Sequence, residues 1–340
     1  MTIHSWPSAT VARQSITRLL PLRAENYRTH PLHSTERIWT ETNCYVDVWL
    51  EVLHSLELDP MIAGAFAVSG DFEGDQWTFF KYPEADLRRA YGIDVHEMNP
   101  WRGVLEHIVE QLSLGRLMTV EVDSFHLPDT GGVSYQLQHV KSTIVPNAVD
   151  VAGRFLGYFH NAGYFELHGD DFDGVFHRGV HAEEAGLPPY TEIIRLERLH
   201  RLSGEQATSL ATQLLAEHIA DAPDDNPVTR LAERMTTDLD WVREQPAEAF
   251  HAWAFGTVRQ CGACAETAAS FLVWLADHDG PHGAREAAEP WTSLAEQAKA
   301  LQFALARAAR GRPIDLRPTM QQMAHEWARA RTATAALVGL

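Results

Sequence analysis

The chain of 340 residues has few cysteines, no long apolar run and far fewer basic than acidic residues. Three cysteines are too few for a disulfide framework, so we expect a reducing compartment and take the cytoplasm as the location. No apolar stretch approaches the roughly 18 residues of a membrane span, and the N-terminal segment lacks the apolar core of a signal peptide. The formal net charge of −18 argues against a nucleic-acid partner, which would require a basic face.

The length is sufficient for two domains, and the sequence pattern changes along the chain. The first half mixes helix and strand patterns, whereas apolar residues recur at helical spacing from residue 203 onwards. We therefore predict an α+β chain with an N-terminal arm over 1–38, a domain with an antiparallel sheet over 39–177, and an all-α helical bundle domain over 178–340.

Periodicity and turn residues give approximate bounds for the elements. The pattern predicts strands over 63–69, 75–80, 117–122, 133–145, 154–160 and 164–167. A helix over 61–68 is an alternative to the first of them, because short apolar runs are ambiguous. Helix start signals predict helices over 203–220, from 226, over 247–275, over 290–311 and from 318.

Cys44 stands at the predicted start of a helix that packs one apolar stripe inward. Thr42 or Asn43 precedes it as a capping residue, accepting a hydrogen bond from a backbone N–H of the first turn. The helix dipole favours the thiolate at this position, which a nucleophilic cysteine needs together with a nearby base. The alternative interpretation is structural, because many cysteines are small buried hydrophobes.

His139 lies in a strand-like run, and the next predicted strand ends at Asn161. A thiol on a helix, a histidine on one strand and an asparagine on its neighbour form a Cys/His/Asn arrangement, in which the histidine takes the thiol proton and the third group orients it. Taken singly, a strand histidine is more often structural, and Asn161 is a favourable turn residue.

These positions also carry a resemblance. Asn43-Cys44 opens a helix, residues 117–128 read Leu-Met-Thr-Val-Glu-Val-Asp-Ser-Phe-His-Leu-Pro, and His139 and Asn161 follow. Over about residues 40–170 the chain resembles the papain-like fold of C39-type cysteine peptidases, and more closely the butirosin-biosynthesis acyltransferase branch. That branch has a strand ending in Asp-x-x-x-Leu-Pro and usually has Asp where Asn161 stands. The whole chain, including 156–164, resembles DUF1839, a bacterial family known only as a domain of unknown function.

The resemblance implies a Cys44 nucleophile, a His139 base and an Asn161 orienting group. Because the spacing after His139 is longer than in the family, Asp150 and His160 are alternatives for the third role. The implied activity is a cysteine-dependent acyltransferase that moves an acyl or aminoacyl group from a carrier-protein thioester to a small-molecule amine through acyl-Cys44. We expect no cofactor, no nucleic acid and no membrane as partners.

The sequence also predicts residues that bind the oxyanion of the intermediate and residues that bind the substrate. The Cys44 backbone N–H is expected to be the first oxyanion donor, and Thr40, Thr42 or Asn43 the second. Glu121 and Asp123 share one face of a predicted strand, where they are expected to hold a substrate ammonium group. The alternative interpretation is that both carboxylates are merely solvated or cap a turn.

Three other functions are alternatives: a cysteine peptidase or amidase, a non-catalytic binding protein on the same fold, and a metal-dependent hydrolase. The densest ligand-type run, 168–177, lacks the terminal glutamate of a calcium-binding loop, so we interpret it as an acidic surface turn and assign no metal ligand. Cys261 and Cys264 stand among small residues of a predicted helix, which favours helix packing over a redox or zinc role. The arginines over 307–317 are interpreted as a solvated helix face, with a docking patch for an acidic partner as the alternative.

Overall fold

The computed structural model describes residues 16–184 and 186–340, so the first fifteen residues of the predicted arm lie outside the described part of the chain. The chain divides into two compact units. Unit 1 comprises Met1–Arg28 and Val95–Leu196, and unit 2 comprises Thr29–Asp94 and Glu197–Leu340. The predicted divisions after residues 38 and 177 follow the sequence rather than this grouping in space, and they stay a prediction.

The described residues form short strands and ten α-helices, together with several 3-10 turns. The strands are β1 (Thr17–Arg18), β2 (Asp94–Glu97), β3 (Leu117–Asp123), β4 (Lys141–Asp150), β5 (Phe155–His160), β6 (Gly163–His168) and β7 (Thr191–Arg195). The helices are α1 (Cys44–Ser55), α2 (Glu84–Tyr91), α3 (Val104–Ser113), α4 (Asp170–Val175), α5 (Gly204–Ala220), α6 (Pro227–Arg243), α7 (Ala247–Ala254), α8 (Gln260–Asp277), α9 (Ala284–Ala309) and α10 (Arg317–Leu337).

Unit 1 is organised around one sheet, in the order β2-β7-β3-β4-β5-β6, with β1 paired to β4. The pairs between β3 and β4, β4 and β5, β5 and β6, and β3 and β7 are all antiparallel. Every residue of β5 is buried, because this strand lies inside the sheet and both of its faces are covered. The α+β class, the antiparallel sheet and the helical C-terminal region predicted from the sequence are confirmed.

The predicted strand over 133–145 is wrong in its first half. Residues 131–137 form turns and β4 begins at Lys141, so His139 lies in the loop that enters β4. The apolar Val133 and Leu137 suggested a strand, yet their exposed fractions are 74% and 64%. β4 also continues past the predicted end at residue 145 and through Pro146, because the register shifts between Pro146 and Ala148 and a bulge accommodates the missing N–H.

Unit 2 is mainly helical. α8 packs against α9 and α9 against α10, while α5 and α8 both contact the 3-10 segment Pro60–Ser69. The strand predicted over 63–69 is therefore wrong, and the run 75–80 contributes only the isolated bridge between Phe72 and Trp77. Uniform apolarity explains the error, because it marks burial without fixing a period. No helix of the described ranges is both long enough and apolar enough to cross a bilayer.

The helix starts of unit 2 follow local capping signals. Ser203 and Gln206 form the predicted capping box of α5, and Asn226 caps α6 ahead of Pro227. The single helix predicted over 247–275 is interrupted by a π-helical turn, Phe255–Arg259, between α7 and α8. α9 begins at Ala284, six residues ahead of the predicted start at Pro290.

Candidate functional site

Cys44 is the first residue of α1 in unit 2, and its position is set by the capping residue before it. The Asn43 side-chain oxygen accepts hydrogen bonds from the backbone N–H groups of Tyr45 (3.2 Å) and Val46 (2.9 Å). Asn43 has extended backbone angles, as an N-cap requires. The prediction that a helix begins at Cys44 behind an asparagine cap is confirmed.

The cap itself is anchored to the rest of unit 2. Asn43 Nδ2 donates to the carbonyl oxygen of Phe80 (3.1 Å) and to Gln260 Oε1 (3.2 Å). Thr42 donates to Asp47 through its backbone N–H (2.9 Å to Oδ2) and through its hydroxyl (2.7 Å to Oδ1). The donors of Thr42 and the side-chain amide of Asn43 thus fix the loop that leads to Cys44, and the oxyanion role predicted for either residue stays a prediction.

A buried histidine lies between two carboxylates of α1. His33 Nδ1 contacts Glu51 Oε1, and its Nε2 lies 3.4 Å from Asp47 Oδ1. Burial lowers the pKa of His33, but the hydrogen bonds and charges of Asp47 and Glu51 outweigh it and raise the pKa to about 9. The same Asp47 accepts from Thr42, so a charged histidine and the loop ahead of Cys44 share one buried carboxylate.

The three thiols differ in exposure. Cys44 is partly exposed, whereas Cys261 and Cys264 on α8 are buried. Burial raises the pKa of Cys264 to about 12 and that of Cys261 well above its ordinary value. The Cys264 thiol donates to the carbonyl oxygen of Ala67 at 3.1 Å, which is a packing role. Only Cys44 therefore has the exposure that a nucleophile needs.

We expect iodoacetamide to modify the folded protein once, at Cys44, because the other two thiols are buried and protonated. Intact mass spectrometry at neutral pH measures the number of adducts. The Cys44→Ala variant should gain none until the chain is unfolded, whereas Cys261→Ala should label like the native protein. A native-state adduct on Cys44→Ala would contradict the assignment.

His139 in unit 1 has a carboxylate partner. Its Nδ1 donates to Asp123 Oδ2 at 2.5 Å, and its ring stacks on Phe125 with centroids 4.5 Å apart and planes 9° from parallel. Although burial acts in the opposite direction, hydrogen bonds from His139 and from the Phe125 backbone N–H lower the pKa of Asp123. The His139 side chain is 71% exposed.

A cavity of about 560 Å³ lies beside this pair. Its polar groups include His139, Asp123, Arg102 and the ion pair between Lys141 Nζ and Glu121 Oε1 (2.5 Å). The rest of the lining is largely apolar and comes from Pro100, Val104, Val120, Val122, Val140, Val175, Phe176, Leu187 and Pro188. An oriented histidine beside an apolar cavity is suited to general acid–base chemistry.

The structure gives separate positions to the residues predicted to orient His139. Asn161 occupies the turn between β5 and β6 with a positive φ of 42°, and Asp150 accepts from the Gly153 backbone N–H at 2.8 Å. Asp123 caps a 3-10 turn by accepting from the Phe125 backbone N–H (3.0 Å), as one interpretation of the sequence had it, and it also accepts from His139, while its substrate-binding role stays a prediction. The available signal was the antiparallel pairing of β3 and β4, in which Asp123 lies opposite Lys141.

His160 belongs to a buried relay that the sequence did not reveal. Its Nδ1 donates to Asp129 Oδ2 (2.5 Å), so its Nε2 accepts from the Ser142 hydroxyl (2.6 Å). Tyr158 donates its hydroxyl to the other oxygen of Asp129. The order serine, histidine, aspartate is that of a hydrolase triad, but Ser142, His160 and the Asp129 carboxylate are all buried.

The acidic run 168–177, interpreted from the sequence as a surface turn, contains the short helix α4, and its carboxylates form ordinary polar contacts. Arg154 contacts Asp170 (2.6 Å) and Asp173 (2.8 Å), while the Tyr135 hydroxyl donates to Asp171 at 3.2 Å. Across the described residues, no group of three or more histidine, cysteine or acidic side chains is arranged to hold a metal ion.

The predicted site residues thus fall into two sets. Cys44 lies with Thr42 and Asn43 in unit 2, whereas His139 lies with Asp123 in unit 1. Unit 1 also contains Glu121, which pairs with Lys141, and the predicted alternatives Asp150, His160 and Asn161. The combination of Cys44, His139 and Asn161 stays a prediction, because its members belong to different units.

Fold and sites define an α+β protein with an antiparallel sheet, a helical C-terminal region and a thiol at a capped helix start. Comparison with protein-family models identifies the family of the chain. The DUF1839 N-terminal domain matches residues 28–196 and the DUF1839 C-terminal domain matches residues 204–336, so the chain belongs to the DUF1839 family. No curated protein matches the chain.

Proposed function

We propose that this protein is a cysteine-dependent acyltransferase of papain-like type, working in the cytoplasm. It would move an acyl or aminoacyl group from a carrier-protein thioester to a small-molecule amine. The observation that carries the proposal is the partly exposed Cys44 thiol at the start of α1, behind a cap that four hydrogen bonds fix in place. A nucleophile held in one position loses little entropy on reaching its transition state.

The proposed reaction consists of two acyl transfers, first to Cys44 and then to the acceptor amine. The Cys44 thiolate attacks the thioester carbonyl of the donor, a new S–C bond forms, and the donor thiol leaves with a proton. The acceptor amine then attacks acyl-Cys44, which forms the amide, returns the proton and regenerates the cysteine thiol. No oxidant, metal or nucleotide is consumed in either transfer.

We assign the proton transfers of this reaction to His139. The contacts of His139 within unit 1 support this assignment. Because Nδ1 donates to Asp123, the neutral ring presents Nε2 as the proton acceptor. Stacking on Phe125 holds the ring plane, so the base is oriented before substrate arrives.

The experiment that tests the proposal is intact mass spectrometry after incubation with an aminoacyl-loaded carrier protein. The native protein should gain the mass of the acyl group, and Cys44→Ala should gain none. Ser142→Ala is the matched control, since its serine belongs to the buried relay and should leave the adduct unchanged. An adduct that persists in Cys44→Ala and disappears in Ser142→Ala would show that Ser142 is the nucleophile instead of Cys44. The absence of an adduct with both aminoacyl and fatty-acyl donors would contradict acyl transfer.

A further inference from the structure

The loop ahead of Cys44 is flanked by cations from two helical segments of unit 2. Arg259, the last residue of the π-helical turn, directs Nη2 to the carbonyl oxygen of Glu41 at 3.5 Å, and its guanidinium lies 5.5 Å from the Phe255 ring centroid. Lys299 on α9 places Nζ 4.1 Å from the ring centroid of Trp39. Both cations therefore contact the segment that leads into α1.

The π-helical turn that ends at Arg259 packs against α9, the helix that carries Lys299. Burial lowers the pKa of Lys299, and the positive charge of Arg259 lowers it further. Two like charges that share a half-buried region repel each other and are costly to keep without a counterion. The protein nevertheless places them together in a chain whose formal charge is −18.

No carboxylate of the described ranges forms an ion pair with either cation. Glu266 is the acid whose charge raises the pKa of Lys299, but its oxygens accept from the backbone N–H groups of Ile38 and Trp39, and it pairs with Arg37. The Glu266 charge is thus already neutralised by other partners. An anion from outside the chain would complete the pair.

Lysine is rare in this protein, which makes its placement informative. Only Lys81, Lys141 and Lys299 occur among 340 residues. Lys81 lies 5.4 Å from the ring centroid of Tyr45, the residue after Cys44. Two of the three lysines therefore flank the segment around Cys44, and both are held over aromatic rings that leave their charge available.

We propose that Arg259 and Lys299 form a binding site for a phosphoryl group. A phosphoryl group carries one negative charge as a diester and close to two as a monoester at neutral pH, which would offset the charge of the two cations, and its oxygens fit the donors of a guanidinium. Resting on the proposed function, the phosphoryl group would belong to the acyl donor. Glu41 and Cys44 are three residues apart, so their Cα atoms are separated by at most about 11 Å.

Inorganic phosphate is the probe, measured by isothermal titration calorimetry on the full chain at about pH 8, where its second proton is lost. We expect binding with a Kd on the order of 1 mM for the isolated anion. Arg259→Gln and Lys299→Met should each weaken it tenfold or more, and Lys299→Met keeps the apolar stem over Trp39. Lys299→Arg retains the charge and should bind within about threefold of the native protein.

Arg307→Gln is the matched control, because Arg307 is an exposed cation on the same helix as Lys299. It should leave phosphate binding unchanged. Equal binding by native protein, Arg259→Gln and Lys299→Met would overturn the proposal, and so would acetate binding as tightly as phosphate.

Binding by Cys44→Ala separates this site from the acyltransferase. Cys44→Ala should bind phosphate like the native protein, whatever its effect on acylation. If acylation is also observed, Lys299→Met should raise the KM for a phosphate-bearing donor about tenfold with little change in kcat, since the phosphoryl group lies away from the reacting carbonyl. An unchanged KM would assign the anion site to a ligand other than the donor.

Discussion

Replacement of His139 by alanine is expected to slow amide formation by about 10²–10⁴-fold, the usual contribution of a positioned general base. The ring is the proton acceptor of the proposed reaction, and alanine cannot take its place. The measurement is the steady-state rate of amide product from a loaded carrier protein and an amine. Circular dichroism should show an unchanged fold, because the His139 side chain is largely exposed.

Two further variants decide which residue orients the base. Asp123→Asn should lower the rate by about 10²-fold, because the amide no longer favours the tautomer with a proton on Nδ1. Asn161→Gly should stay within about twofold of the native rate, since glycine accepts the positive φ of 42°. The reverse order, with Asn161→Gly impaired and Asp123→Asn active, would return the orienting role to Asn161.

The free energy of unfolding of unit 2 is expected to fall by about 3 kcal/mol as the pH rises from about 6.5 through about 9. The folded-state pKa of His33 lies above its unfolded value, so this stability is fully present below pH 6.5 and is lost as the proton leaves at about pH 9. Burial lowers the pKa of the neighbouring His30 to about 4, so His30 remains neutral throughout. Urea unfolding at a series of pH values measures the slope.

His33→Gln tests the same cluster at fixed pH. Glutamine brings no positive charge, so Asp47 and Glu51 become unpaired buried carboxylates, at a cost of about 3–5 kcal/mol at pH 6. The pH slope between 6.5 and 9 should disappear in this variant. His325→Gln, on the exposed side of α10, should keep both the stability and the slope. A slope retained in His33→Gln would assign the titration to another group.

Loss of the His33 proton would also weaken the anchoring of the loop before Cys44, because Asp47 binds both His33 and Thr42. Activity that declines above about pH 9 would then report this structural proton rather than the catalytic base. Comparison of the native and His33→Gln pH profiles separates the two, since the structural decline is absent when the histidine is absent.

Features encoded within a few residues were predictable from the sequence. The caps of α1, α5 and α6 depend on a polar side chain and the backbone immediately after it, so Asn43, Ser203 and Asn226 were sufficient. β3, β5 and β6 were also found, because each is a bounded run of strand-forming residues.

Features that depend on pairing between distant segments were not predictable. β2 and β7 are short, and the stretch containing β7 shows little periodicity, so their strand character comes from their neighbours in the sheet. The bond between His139 and Asp123 joins the end of β3 to the loop that enters β4. The relay of Ser142, His160 and Asp129 likewise needs the register of two strands and a 3-10 turn.

The π-helical turn between α7 and α8 has a consequence for comparison among relatives. In an α-helix each residue advances the chain by about 100° around the axis, so the one extra residue of a π turn resets the facing of everything after it. That rotation sets the side on which Arg259 and Gln260 meet Glu41 and Asn43. A relative with one residue fewer between α7 and α8 would keep both helices. The side chains at the positions of Arg259 and Gln260 would then face away from the start of α1. Chain length at one point, rather than residue identity, would then mark which relatives retain this arrangement.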